Sequence, residues 1–203
     1  MVHTAIRDKP EWESRFASDW EPRTGELELL KSHVGNGGAF IAAHMNSHHR
    51  TSSAFQHSSL AVVDVDYGLS IEEFKAHRLA PFVAWAYTTC NHGKEGDRFR
   101  AIFRLPERIN NPHLYKAVVS VLIFELGGDK SCKDACRIFY GNSQAEHFIW
   151  NPSAKLPSEV ISHAQQEARR RLVQESVRVN DYDEITLEQA RFVIEQVLEP
   201  TSD

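Results

Sequence analysis

The run LAVVDVDY, residues 60–67, constrains this chain more than any other segment, because an apolar stretch of strand-forming residues carries two aspartates, Asp64 and Asp66, one residue apart. Strand side chains alternate faces, so this spacing puts both carboxylates on one side and sends Val63 and Val65 the other way, into a core. Two like charges side by side repel. In a strand this apolar the pair calls for something positive between its members, and a divalent metal ion supplies it. The competing reading is a strand end whose acids face water, as turn residues do.

The flanking segments read as a mixed α+β body. Glu26 to His33 has the character of a short helix running into GNGG, Gly35 to Gly38. That loop lacks the lysine and the preceding strand of a phosphate-binding P-loop, so it reads as a turn. A strand, AFIAAHM, follows. Next comes a polar connection, NSHHRTSSAFQHSS, with His48, His49, Arg50 and His57, of a length that is either functional or disordered. Ser70 with Glu73 forms a capping box that opens a helix bearing Ile71, Phe74 and Leu79, and Pro81 closes the connection.

Val83 to Thr89 is a second strand, CNHGKEGD a turn, and Arg98 to Leu105 a third strand. In the third, Phe99, Ala101, Phe103 and Leu105 alternate with Arg98, Arg100, Ile102 and Arg104, which predicts one core face and one cationic face. Asn111 and Pro112 start a helix carrying Leu114, Val118, Val121, Leu122 and Glu125, and Gly127 and Gly128 stop it. DKSCKDACRIFYGN leads to short strands around Arg137 to Tyr140 and Glu146 to Trp150. From Pro157 the pattern turns helical, with Ser158 as a cap and Val160, Ala164, Ala168 and Leu172 at helical spacing. Thr186 with Gln189 opens a last amphipathic helix through Leu198. The expected division is a catalytic body over residues 1–155 and a helical appendage or linker over 156–203.

A length of 203 residues allows one domain or two tightly packed lobes. No segment is long and apolar enough for a membrane span, and the start lacks a signal-peptide pattern, so a soluble cytoplasmic protein is expected, with no membrane partner. Cys90, Cys132 and Cys136 then read as reduced thiols. Cys132 and Cys136 with His147 could be half of a structural zinc site, but a second matched pair of ligands is missing, which argues against zinc. The net charge of −5 argues against bulk electrostatic coating of nucleic acid, so any such contact must be local. Arg98, Arg100 and Arg104 form one basic place. Arg169 to Arg171 form another, which also fits a solvated helix face beside Glu167 and Glu175.

Phosphoryl and nucleotidyl transfer uses two magnesium ions about 4 Å apart, held by a few carboxylates and completed by the substrate's phosphates. Asp64 and Asp66 would bridge them. Asp129 is the candidate third acid, with Asp134 as its competitor. A triphosphate also needs donors along its length, for which His92, Arg98, Arg100 and Arg137 are available. Each has a plainer reading, a surface-turn histidine or an exposed strand face.

Taken in order, VVDVD, YTTCNH, RFRAIF and GGDKSCKDACRIFYG resemble the successive motifs of archaeo-eukaryotic primases, in particular the primase-polymerase domains of phages, plasmids and mobile elements. The resemblance spans residues 35–150 and rests on motif order and spacing. It implies an RRM-like palm with a mixed or antiparallel sheet, joined to a smaller N-terminal α/β unit, with the site in the cleft between them. It implies that Asp64, Asp66 and Asp129 bind the catalytic Mg2+ or Mn2+ pair and that no organic cofactor is used. In the family a Ser-x-His motif binds the incoming nucleotide's phosphates, and here it appears as Cys90, Asn91, His92. Cysteine keeps the size of serine and weakens one donor. Arg137, Arg98 and Arg100 match family cations, and Arg50 is a further candidate for phosphate.

The implied activity is template-directed nucleotidyl transfer, a DNA primase or polymerase that makes or extends primers, with single-stranded DNA and nucleoside triphosphates as partners. The end of the chain soon after a helix fits the front part of a larger replication protein with a helicase module behind it. Two alternatives stand beside this reading. One is a metal-dependent nuclease or replication initiator, although HMNSHHR lacks the histidine pattern of an initiator. The other is a non-catalytic RRM-like module whose Phe99, Phe103, Phe139 and Trp150 stack bases.

Overall fold

The computed structural model describes residues 1–8 and 16–179. The chain forms two antiparallel sheets with helices packed against them, the α+β class expected. The smaller sheet has the order β2-β1-β3, built from β1 (Val2–Arg7), β2 (Trp20–Glu21) and β3 (Gly38–Phe40). The larger has the order β4-β5-β7-β6-β8, from β4 (Ala43–Met45), β5 (Phe55–Val65), β6 (Trp85–Thr88), β7 (Phe99–Ile109) and β8 (His147–Trp150).

The expected strand AFIAAHM is divided between the two sheets, with Ile41 and Ala42 between β3 and β4. The polar connection after it is shorter than expected, because β5 starts at Phe55. Its first residues pair with β4, His57 with His44 and Ser58 with Ala43, and the buried Ser58 hydroxyl donates to the Ala42 carbonyl at 2.9 Å. A buried, satisfied serine in a strand has the same letter as a loop serine, so composition alone misplaced this boundary.

The helices begin and end where the local chemistry sets them. Helix α1 (Leu27–Gly35) gives way to the expected turn at Asn36 and Gly37. Helix α2 (Ile71–Ala76) opens on a complete capping box between Ser70 and Glu73. Helix α3 (Pro112–Leu126) starts with the Asn111 side chain accepting from the amides of His113 and Leu114, and stops at Gly127 in the left-handed region. Helix α4 spans Ser158–Val179. Leu156 and Ala164 are buried in the main core, so the start of the helical tail packs with the body. The further helix expected over 186–198 lies outside the described residues. Among the described residues no helix is long and apolar enough to cross a membrane.

Register fixes what each face of the large sheet carries. Asp64 on β5 is opposite Arg100 on β7, and Arg100 is opposite Tyr87 on β6. Residues directly opposite in an antiparallel pair share a face, so the three form one polar row. The alternation predicts a cationic face on β7, and an exposed strand face is its plainer reading. It is instead covered: Arg100 is 4% exposed and lies within about 6 Å of the Phe40 and Phe139 rings, at 5.9 and 4.8 Å. Phe40 and Phe139 exchange backbone hydrogen bonds of 2.9 and 2.8 Å, which joins the 137–142 segment to β3. Period-two alternation reports which side chains share a face, not what will be laid over it.

Candidate active site

The acids converge at the C-terminal end of β5. Asp64 is the second-last residue of that strand, Asp66 comes directly after it, and Asp129 follows the α3 stop. A backbone bond clamps the third acid to the first, the Asp129 amide donating to the Asp64 carbonyl at 2.8 Å. Gly128 makes the approach possible: a Cβ there would stand 2.3 Å from Val63 Cγ1 and 3.0 Å from the Asp64 carbonyl oxygen.

The three carboxyls differ in their surroundings. Asp64 is buried and held by two bonds from one guanidinium, Arg100 Nε to Oδ1 at 2.5 Å and Nη2 to Oδ2 at 3.2 Å. The remaining Arg100 nitrogen donates to the Tyr87 hydroxyl at 2.6 Å and to the Tyr140 carbonyl at 2.7 Å. Burial works against the Arg100 charge, but Asp64 outweighs it and the guanidinium stays firmly protonated. Asp129 accepts from the Ser131 amide at 2.9 Å, the Ser131 hydroxyl at 2.5 Å and Arg137 Nη2 at 3.1 Å. Burial raises the Asp129 carboxyl, but the two Ser131 bonds and Arg137 more than offset this and hold it below the usual range.

Asp66 is the opposite case. It makes no hydrogen bond or ion pair among the described residues, and burial, then the Asp64 and Asp129 charges, push its carboxyl upward against the pull of Arg98. A half-buried carboxylate that feels the charge of two others and has no ion pair of its own is a local excess of negative charge.

The site residues around the acids fall into two groups. His92 follows β6 and accepts the Arg98 amide at Nδ1, 3.2 Å away. In the neutral ring this places the hydrogen on Nε2, a donor with no partner among the described residues. Cys90, two residues earlier, is exposed. Arg98 has its Nη2 bonded to the Tyr67 hydroxyl at 3.0 Å and to Glu95, its guanidinium 4.9 Å from the Tyr67 ring, and its Nε buried without a partner. Tyr67 itself, the residue after Asp66, is 68% exposed. Asp97 ties this turn to α2 by accepting the Ile71 amide at 2.7 Å.

The second group lies on the far side of Asp129. Arg137 spans from that acid to a cavity that it lines together with Arg50, and its Nε is also buried without a partner. Arg50 donates to the Phe16 and Cys136 carbonyls, each at 3.2 Å. Asp134, the competing third acid, is turned to the Cys136 amide at 3.1 Å and the Ser52 hydroxyl at 3.2 Å instead of to Asp64. Cys132, Cys136 and His147 have separate partners: Cys132 Sγ accepts the Asp64 amide at 3.3 Å, Cys136 Sγ contacts Ser52 at 3.2 Å, and His147 accepts from Trp85 at 2.9 Å. Of the aromatics considered for base stacking, Phe99, Phe103 and Phe139 are fully buried core residues, so the non-catalytic stacking alternative loses three of its four rings.

Carboxylate oxygens are the ligands that magnesium and manganese take. Asp66 has free lone pairs, and the Arg100 fork occupies two of the roughly four acceptor sites on Asp64. The donors therefore fit a hard divalent cation in kind. Among the described residues, however, no group of three or more His, Cys, Asp or Glu side chains is gathered to hold a metal ion as placed.

Reading residues in isolation missed Ser131, Tyr87 and Tyr140. Ser131 was legible as the Asp-x-Ser turn that lets a hydroxyl and an amide close on the acid two residues earlier. Tyr87 and the Tyr140 carbonyl carry no local signal, since their role comes from cross-strand register and from the covering lobe.

No protein-family profile matches the chain, and no curated protein sequence is similar to it. Two solved structures share part of its shape. One is the AEP domain of the cyanophage S-2L primase-polymerase, at 12% identity and a TM-score of 0.48, covering 70% of this chain and 77% of that one. The other is the catalytic domain of the primase Repb' in complex with initiator DNA, at 14% identity and a TM-score of 0.44, covering 71% of this chain and 74% of that one.

Proposed function

We propose that the chain is a nucleotidyltransferase of the primase-polymerase kind, extending or starting primers on a single-stranded DNA template with nucleoside triphosphates. One observation carries the reading: Asp129 is clamped by its amide to the Asp64 carbonyl, beside an Asp66 carboxyl that has no cation of its own. The motif order of the sequence supports it as well.

In this reading the 3′-hydroxyl of a primer attacks the α-phosphate of a bound triphosphate, the bond to the β-phosphate breaks, and pyrophosphate leaves. Asp66, with Asp64 and Asp129, would hold magnesium or manganese, which supplies neutralisation of the charge on the transferred phosphate. His92 donates its Nε2 hydrogen to a phosphate oxygen. Arg98 and Arg137, each with an unpartnered Nε, offer further donors on either side of the acids. Arg100 neutralises Asp64 through two bonds and is itself held by two more, to the Tyr87 hydroxyl and the Tyr140 carbonyl, so its part is to position the acid and not to grip phosphate. Cys90 and Arg50 stand at the edges of this arrangement, the first exposed beside His92 and the second holding backbone carbonyls.

The test is incubation with single-stranded template, labelled nucleotides and magnesium or manganese, with and without a primer. Product longer than the primer, lost in Asp66→Asn, is the expected result. Unchanged extension by the Asp64→Asn, Asp66→Asn double variant would overturn the assignment, and cleavage of the template without extension would replace it with the nuclease reading.

A further inference from the structure

Beyond the acids, on the far side of Asp129, lies a cavity of about 570 Å³ lined by Arg50, Lys116, Lys130, Lys133 and Arg137 against a single carboxylate, Asp134. Five cations around one cavity stand out in a chain whose net charge is −5. Two of them are partly committed, Arg50 to carbonyls and Arg137 to Asp129. The other three are not: Lys116, Lys130 and Lys133 are exposed, and their ammonium groups make no hydrogen bond or ion pair among the described residues.

Their placement follows from local structure. Lys130 and Lys133 begin and end a short 3-10 turn, Lys130–Lys133, and with three residues per turn they stand one above the other, about 6 Å apart along its axis. Lys116, on α3, lines the same cavity. Like charges so disposed repel one another, and an extended polyanion between them would relieve that repulsion.

The wall also has an aromatic part. Phe16 and Tyr140 line the cavity with their rings 6.3 Å apart and edge to face, and both are only partly buried. A row of uncommitted lysines beside a half-open aromatic surface is the combination that holds single-stranded nucleic acid, with phosphates on the cations and a base on the ring.

We propose that this cavity binds the backbone of single-stranded nucleic acid, with Lys116, Lys130 and Lys133 on consecutive phosphates and Tyr140 offering its ring to a base. It deepens the function proposed above by giving the template a path past Asp129, with Arg137 between strand and acids. The binding step itself requires neither metal nor nucleotide, so it is tested apart from catalysis.

The measurement is fluorescence anisotropy of a labelled oligothymidylate with the whole chain in excess chelator and without triphosphate, repeated across a salt series. The Lys116→Ala, Lys130→Ala, Lys133→Ala variant is expected to bind at least tenfold more weakly, with the slope of log K against log salt reduced by about 2, or about 0.7 per lost phosphate contact. Tyr140→Leu is expected to weaken the oligothymidylate and to leave binding of a duplex of equal charge unchanged. All three lysines are exposed, and an unaltered circular-dichroism melt confirms that the variant folds. Unchanged oligonucleotide affinity and slope would overturn the proposal. So would a free triphosphate or inorganic phosphate whose binding the lysine variant loses while oligonucleotide binding stays intact, since the cavity would then be a small-anion site. Loss of extension in Asp66→Asn with oligonucleotide binding retained supports both readings, whereas normal binding with no extension by the wild-type chain sinks only the catalytic one.

Discussion

Asp64 and Arg100 sit directly opposite each other on neighbouring antiparallel strands and close a two-bond ion pair inside the protein, 7% and 4% exposed. The first of the acids proposed above to hold metal is thus also a structural residue. Removing one partner of a buried pair leaves an unpaired charge, which costs about 3–5 kcal/mol. Asp64→Ala and Arg100→Met are each expected to lower the melting temperature by about 6–20 °C, at the 2–4 °C per kcal/mol usual for this chain length. The double variant Asp64→Leu, Arg100→Met should recover most of that stability and none of the activity. Thermal melts of the three, read beside primer extension, separate the two roles.

Asp66 and Asp129 should respond to pH in opposite senses. The Asp66 carboxyl is raised in the folded state, first by burial and then by its acidic neighbours, so folding binds its proton more tightly than the unfolded chain does. Its contribution is most favourable at acid pH and is lost as pH rises through the raised value. Asp66→Asn should therefore match the wild type near pH 3 and melt higher at pH 7 while losing extension. The Asp129 carboxyl is lowered, its burial being outweighed by Ser131 and Arg137, so its stabilisation is present at neutral pH and disappears as pH falls through the lowered value. Asp129→Asn should melt lower at pH 7 and converge with the wild type in acid. Melting curves of all three proteins across pH 2–8 check both signs.

His92 presents an unpartnered Nε2 hydrogen because Nδ1 is taken by the Arg98 amide. A hydrogen bond to a charged phosphate is worth about 1.5–3 kcal/mol, so His92→Ala should raise the apparent KM for nucleotide about 10- to 150-fold with a smaller change in kcat. His92→Gln, whose amide can reach in the same direction, should recover part of the loss. An unchanged KM in His92→Ala would remove this residue from the site.

Gly128 lets the third acid lie against β5. Its alanine variant places a Cβ 2.3 Å from Val63 Cγ1, in a fully packed region, so the 127–129 backbone must move and carry Asp129 away from the Asp64 carbonyl. Gly128→Ala should lose stability by about 1–3 kcal/mol, as overpacking does, and lose extension out of proportion to that change when assayed well below its melting temperature.

Tyr67 offers a test at the opposite rim. It is exposed directly after Asp66, and Arg98 holds its hydroxyl. Stacking of a base or sugar on the ring is worth about 1–3 kcal/mol, so Tyr67→Ala should weaken nucleotide binding by about 5- to 150-fold with little change in melting temperature. A titration of nucleotide in the extension assay reads the first, and a melt the second.

How much of this was legible in the residues varies from element to element. The Ser70 capping box, the Asn111–Pro112 start and the Gly127 stop of α3 are local devices, and the structure has them where the letters put them. The proximity of Asp129 to Asp64, sixty-five residues apart in sequence, is a matter of topology that spacing cannot show and the family resemblance anticipated. Arg100 shows the limit: its alternation on β7 was read correctly, but its burial depends on Phe40 and Phe139 arriving from another sheet. The start of β5 was missed because Ser58 satisfies its hydroxyl inside the fold. Lys116, Lys130 and Lys133 are assigned no role from the sequence, and only the fold of α3 against the following turn gathers them.

The run from Gly38 to Met45 belongs to both sheets, with only Ile41 and Ala42 between β3 and β4, both buried and both hydrogen-bonded, Ile41 to Met1 and Ala42 to Ser58. Such a stretch acts as a taut strut: Phe40 is fastened to Phe139 on one side and Ala43 to Ser58 on the other, leaving no slack for the halves to swing apart. Rearrangement around the buried Asp64 must then come from side chains and surface turns, as in a vice with fixed jaws. The spacing of the two halves beside that acid is set when the chain folds.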